Sequence, residues 1–186
     1  MVPLAQLWLP ILLSAVFVFI ASSIIHMVLP YHRSDYKKLT SEDEVMAALR
    51  KSNVTPGDYL FPRPDSRQAM KDPAFIEKMT KGPVGFMTVR AGGPPSMGKP
   101  LILWFIYCVV VSVFAAYISG RALAAGAPSR AVFCFAGVTA FAGYALGLWQ
   151  NTIWYWRSAM ITLKATFDGL IYALITGAIF AWLFPH

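Results

Sequence analysis

The sequence predicts an all-α membrane protein with four transmembrane helices and one loop of about 70 residues. Only 13% of the 186 residues are charged, whereas about a quarter would be charged in a soluble domain. Residues 31–99 hold twelve of the sixteen Lys and Arg and eight of the nine Asp and Glu. The rest of the chain falls into apolar runs of about 20 residues, the length that crosses the hydrocarbon core of a bilayer.

The first predicted helix covers residues 10–29, within a membrane segment of residues 1–30. Pro10 suits a first helical turn, and Pro30 ends the apolar run. A cleaved signal peptide is the alternative. Residues 1–9 carry no charged side chain, however, and the apolar run is too long for a signal peptide. We therefore expect a retained anchor.

The other three helices are predicted within residues 100–186, at about 101–119, 131–150 and 158–184. The last is apolar only from Gly169 onward, and its extension back to residue 158 adds Lys164 and Asp168 near the membrane surface. These two side chains are one helical turn apart, so they can neutralise each other, although lysine before aspartate is the weaker order for such a pair.

The distribution of positive charge predicts the orientation. If residues 31–99 and the connection 150–168 share a side of the membrane, that side holds fourteen Lys and Arg, against only Arg121 and Arg130 on the other. The positive side of a membrane protein faces the cytoplasm. We therefore expect a cell (inner) membrane protein with a cytoplasmic loop and both termini periplasmic or extracellular.

Small residues recur at every fourth position in three predicted helices. They are Cys108, Ser112, Ala116 and Gly120 in the second helix, Thr139, Gly143 and Gly147 in the third, and Gly169, Ala173, Gly177 and Ala181 in the fourth. This spacing places each set on one helix face, where small side chains let helices pack closely in lipid. The faces either hold the chain's own bundle together or contact a second protein or a second copy.

The loop 31–99 is predicted to contain one or two short helices and proline-rich extended segments. Ser41 and Glu44 form the pattern of a capping box, and Asp72 before Pro73 marks the start of a second helix. Aromatic and aliphatic residues recur between the prolines, unlike in a disordered linker. We therefore expect the loop to lie against the bundle or a neighbouring subunit.

One segment approaches the sequence of a phosphate-binding loop without fitting it. Between Gly93 and Lys99, the residues Pro94 and Pro95 remove two backbone N–H donors, and Pro100 takes the position of the required hydroxyl. We expect neither a nucleotide nor a nucleic acid as partner. The net charge of +7 is explained better by membrane orientation.

Three residues are candidate functional polar groups, namely His26, Lys164 and Asp168, because ionisable residues within membrane segments are functional candidates by default. The spacing of His26 and His32 is not that of a metal site, and no second histidine falls deep in another predicted span to hold a haem. The sequence therefore predicts no catalytic residue, no metal and no cofactor. For His26 the simpler expectation is a hydrogen bond to Ser22 or to a lipid headgroup.

Three functions remain open. The sequence favours a non-catalytic subunit that scaffolds a larger membrane assembly, because little charge is buried and small-residue faces are available for partners. A small transporter or channel would use Asp168, Lys164 and His26 but needs a polar path across the midplane. An interfacial enzyme acting on lipid or quinone would need at least two of His26, His32, Asp35 and Asp168 to converge.

Overall fold

The computed structural model describes residues 1–185. Four helical segments are long and apolar enough to cross a membrane, which confirms the expected number of spans: Leu4–Val28, Gly98–Ala122, Ser129–Tyr155 and Ala159–Leu183. The chain therefore has the fold of a multi-pass membrane protein. It divides into two compact units, one formed by residues 1–36 with 96–185 and the other by residues 37–95.

The regular elements follow one another along the chain. The helices are α1 (Trp8–Ser23), α2 (Glu42–Lys51), α3 (Pro73–Lys81), α4 (Gly98–Ala122), α5 (Ser129–Tyr144), α6 (Trp149–Tyr155) and α7 (Ala159–Leu183), and the strands are β1 (Gly57–Phe61) and β2 (Gly85–Val89). Short 3-10 turns cover Leu4–Leu7, Pro30–His32, Ala69–Lys71 and Leu146–Leu148, and a π-helical turn covers Ile24–Val28.

The first unit is a four-helix bundle in which α1 packs against α4 and α7, and α5 packs against the same two helices. The amide of Val2 donates to the carbonyl of Gly120 at 2.8 Å, and the amide of Gly126 donates to the carbonyl of Pro185 at 3.0 Å. Val2 and Pro185 therefore lie at the same end of the bundle, against the last turns of α4 and the α4–α5 connection, respectively.

Most of the small residues singled out above lie at contacts inside the bundle. A Cβ atom on Gly120 would stand 2.6 Å from the carbonyl oxygen of Val2, and one on Gly177 would stand 2.9 Å from that of Phe133. These two glycines let the backbones approach more closely than any side chain would allow. Four further members are buried in the bundle: Cys108, Ser112, Ala116 and Ala173.

Gly147 is the exception among these residues. Helix α5 ends at Tyr144, and Ala145 adopts φ −121° and ψ −49° before the chain continues. A Cβ atom on Gly169 would stand 2.9 Å from the Cβ of Ala145, so α7 packs closely against this break. Gly147 lies in the following 3-10 turn with open space around its Cβ position. The expectation that Gly143 and Gly147 share one helix face is therefore wrong.

The second unit contains α2, α3 and an antiparallel pair of strands. Strand β1 pairs with β2 from Gly57 opposite Val89 to Phe61 opposite Gly85. No residue of the unit is buried. An apolar core of its own is therefore absent from residues 37–95.

The two short helices of this unit begin differently. The Asp72 carboxylate accepts the amide of Ala74 at 2.9 Å, which caps α3 as its sequence predicts. Ser41 makes no side-chain cap at the start of α2. Its backbone, at φ −112° and ψ 58°, lies outside the extended region from which a serine hydroxyl usually caps a helix, so the expected capping box is wrong.

Candidate functional site

A reversal of the chain after the first span brings two histidines together. The amide of Leu29 donates to the carbonyl of Ile24 at 3.1 Å, which closes a π-helical turn. Leu29 is extended, at φ −76° and ψ 137°, because the residue before a proline avoids the helical region. Pro30 then opens a 3-10 turn. The rings of His26 and His32 consequently lie 4.4 Å apart, inclined at 31°.

The imidazole of His32 is held between two carboxylates. Its Nδ1 atom lies 2.6 Å from Oδ2 of Asp35, and its Nε2 atom lies 2.9 Å from Oδ2 of Asp168. Asp168 stands nine residues after the start of α7, about 13 Å along the helix axis, and is only 2% exposed. The contact therefore joins the chain reversal to a buried position on the last helix.

Lys164 holds the same chain reversal from the first turns of α7. Its Nζ atom donates to the Tyr31 carbonyl at 2.6 Å, to Ser34 Oγ at 3.0 Å and to Asp35 Oδ1 at 2.8 Å. Burial raises the pKa of Asp35, but the hydrogen bonds and charges of Lys164 and His32 outweigh burial and keep that pKa below its ordinary value. The pairing of Lys164 with Asp168 that their spacing suggests is not made. Lys164 donates instead to Asp35, and Asp168 lies within hydrogen-bond distance of His32.

His26 completes the cluster from the end of the first span. Its Nε2 atom lies 4.0 Å from Oδ2 of Asp168 and 3.5 Å from the hydroxyl oxygen of Tyr172. The expected bond to Ser22 is not made. The Ser22 hydroxyl donates to the Phe19 carbonyl at 2.8 Å and accepts the indole N–H of Trp104 at 2.7 Å.

We call His26, His32, Asp35, Lys164 and Asp168 the His32 network. One oxygen in this network, Oδ1 of Asp168, is buried and has no hydrogen-bond partner among the described residues. Leaving a buried carboxylate oxygen unpaired is unfavourable by roughly 1–3 kcal/mol or more. The network is thus incomplete at its most buried point.

An apolar groove of about 420 Å³ lies beside the network. It is lined by Tyr31, Phe141, Met160, Leu163, Lys164, Thr166, Phe167 and Leu170. Lys164 belongs to both features, and its ammonium donates to the carbonyl of Tyr31, which also lines the groove. Polar groups and an open apolar surface therefore meet at one place.

The structure brings the three candidate polar residues, His26, Lys164 and Asp168, into one network. His32 and Asp35, which the sequence offers only as residues that an interfacial enzyme would need to converge, join the same network. Two local signals point toward them in retrospect: a proline that reverses the chain directly after a span, and a histidine and an aspartate three residues apart within that reversal.

No family model matches this sequence, and no curated protein or solved structure is significantly similar to it.

Proposed function

We propose that this chain is an interfacial membrane protein that binds an amphiphilic molecule, a lipid or an isoprenoid quinone. The polar head of that molecule lies at the His32 network and its apolar chain in the adjoining groove. One observation carries the proposal: His26, His32, Asp35 and Asp168 converge beside the groove. This is the convergence that an interfacial enzyme requires.

The charges of the network support this function. Ionisable side chains within membrane segments are rare, and their cost is accepted mainly where they do chemistry. With His32 protonated, the cations of His32 and Lys164 balance the anions of Asp35 and Asp168, so the network is neutral as a whole. The His32 imidazole lies within hydrogen-bond distance of two carboxylates, an arrangement suited to acid–base work on a bound oxygen atom.

The scaffolding function remains a second proposal, for a different reason than the sequence suggested. Most of the small-residue faces are occupied by contacts within the bundle, so they no longer argue for a partner. The unit of residues 37–95 does argue for one. It has no buried residue, and its helices expose Val45, Met46 and Ile76 by 40%, 48% and 51%. A partner protein would cover these side chains.

The orientation belongs to the same proposal. We place the chain in the cell (inner) membrane with residues 31–99 cytoplasmic and both termini outside. The excess of Lys and Arg in residues 31–99 supports this orientation. The contacts of Val2 with Gly120 near the end of α4 and of Pro185 with Gly126 in the α4–α5 connection support a shared side for the two termini. The His32 network then lies toward the cytoplasmic side.

The experiment is to purify the full chain in mild detergent and to identify the lipids and quinones that remain bound by mass spectrometry. We expect one defined species at about one molecule per chain. Leu163→Trp fills the groove and should abolish binding of this species. The control is Leu103→Trp, at a similarly exposed leucine of α4 outside the groove, which should leave binding unchanged. The mass separates a lipid from a quinone. A composition equal to that of the bulk membrane in all three proteins would refute the proposal.

A further inference from the structure

One metal ion can reach three side chains of the His32 network. His26, His32 and Asp168 each offer a ligand atom, and these atoms all lie within 4.8 Å of one another. The Nε2 atoms of His32 and His26 stand 2.9 Å and 4.0 Å from Oδ2 of Asp168. A tetrahedral ion with bonds of about 2.1 Å separates its ligands by about 3.4 Å. The two observed distances bracket this value.

We propose that His26, His32 and Asp168 bind a divalent first-row transition-metal ion of the Zn²⁺ or Fe²⁺ type. Two imidazoles and one carboxylate form a mixed nitrogen and oxygen set, which such ions accept. Ca²⁺ and Mg²⁺ prefer oxygen ligands throughout, so this set disfavours them. When the ion binds, it replaces the proton between His32 and Asp168, and that proton is released to water.

The surroundings of His32 are those of a metal ligand. Histidines that bind a metal usually donate their other ring N–H to a carboxylate, which fixes the tautomer and orients the ring. Here Nδ1 of His32 donates to Asp35 at 2.6 Å, which leaves Nε2 for the ion. Asp35 is itself fixed by Lys164 at 2.8 Å. The Lys164–Asp35–His32 chain therefore positions a ligand that sequence spacing does not reveal.

An independent observation comes from Asp168. This residue is 2% exposed, and its Oδ1 atom is buried with no hydrogen-bond partner among residues 1–185. A buried carboxylate with one oxygen unpaired is unfavourable. A cation bound at Oδ2 stabilises the negative charge that both oxygens of the carboxylate share, and so lowers this penalty.

Three protein ligands leave at least one coordination position open. Structural zinc sites fill all four positions with protein ligands, whereas catalytic sites keep one for water or substrate. This part of the inference rests on the proposed function, because the open position would accept the polar head of the amphiphile. The ion would act as a Lewis acid and polarise an oxygen atom bound at the open position.

The test is a Co²⁺ and Zn²⁺ titration of the full chain, purified in detergent with a histidine-free tag and freed of metal with EDTA. We expect one Co²⁺ per chain with visible absorption bands that Zn²⁺ abolishes. His26→Gln and Asp168→Asn should abolish binding, and Asp35→Asn should weaken it about 10- to 100-fold. Asp43→Asn, in exposed α2, is the matched control and should bind as the wild type does. Circular dichroism verifies that each variant is folded.

Two outcomes would overturn the metal site: a folded wild type that binds neither ion, or binding unchanged in both His26→Gln and Asp168→Asn. The His26 side chain is half exposed, so His26→Gln should fold even if Asp168→Asn does not. Bound lipid and quinone are measured in the same metal-free samples. Retention of the amphiphile without metal binding would overturn the metal site alone, whereas metal binding without an amphiphile supports the site and counts against the proposed function.

Discussion

The Nε2 atom of His32 lies 2.9 Å from Oδ2 of Asp168, although 136 residues separate them in the sequence. The contact fastens the chain reversal that follows the first span to a buried position on the last helix. Asp35 and Lys164 extend it into a network that contains both carboxylates of the bundle unit. The proposed amphiphile site and the proposed metal site both depend on this relationship.

A double-mutant cycle tests whether His32 and Asp168 interact. We expect His32→Gln and Asp168→Asn each to lower the free energy of unfolding by about 1–3 kcal/mol, because each leaves a buried polar partner unsatisfied. The double variant should lose less than the sum, with a coupling of about 0.5–3 kcal/mol. Unfolding by SDS in mixed micelles supplies the four values. Strict additivity would show that the side chains do not interact.

Lys164→Met should loosen the chain reversal without unfolding the bundle. The variant keeps an apolar stem but removes the ammonium that bonds Tyr31, Ser34 and Asp35. Hydrogen bonds to a charged group contribute about 1.5–3 kcal/mol, so amide hydrogen exchange within residues 31–36 should be roughly tenfold faster or more. Lys78→Met in exposed α3 is the control. Equal protection in the two variants would mean that Lys164 does not fix this segment.

Two glycines of different surroundings make a matched test of packing. Gly177→Ala adds a Cβ atom 2.9 Å from the Phe133 carbonyl oxygen, so α5 and α7 must separate. We expect a loss of about 1–3 kcal/mol, typical of overpacking. Gly147→Ala adds the same atom in open space and should change the unfolding free energy little. Comparable losses at both positions would contradict the observed helix contacts.

Thiol labelling tests the proposed orientation. Ser52→Cys lies at the end of α2 and Ala125→Cys in the exposed α4–α5 connection. In cells whose outer membrane or wall has been removed but whose cell membrane is sealed, a membrane-impermeant maleimide should label position 125 and not position 52. Position 52 should react only after the membrane is permeabilised. The reverse pattern would invert the topology and place the His32 network on the outer side.

The four spans could be predicted from the sequence because hydropathy and length are local properties. The positions at which helices break depend on packing against other helices, so local hydropathy does not predict them. The third span is interrupted at Ala145, where Gly169 of α7 packs against the break. Nothing in the sequence around Gly143 and Gly147 distinguishes a continuous helix face from this interruption.

The network was only partly predictable for a related reason. His26, Lys164 and Asp168 are evident as ionisable residues near the membrane, but their partners depend on the path of the chain. The helical spacing of Lys164 and Asp168 suggests a pair between them. In the structure, Lys164 pairs with Asp35 and Asp168 pairs with His32, both from a turn that is distant in the sequence. The extended residue before Pro30 follows from the proline, but the π-helical turn that precedes it is not evident from the sequence.

The most direct test of the account compares what wild type, Asp168→Asn and Asp43→Asn retain after reconstitution into lipid nanodiscs. Native mass spectrometry counts the lipid or quinone bound to each chain. We expect about one molecule on wild type and on Asp43→Asn, and loss of that molecule from folded Asp168→Asn. Equal retention by all three proteins would contradict it, because the buried carboxylate of the His32 network would then take no part in binding.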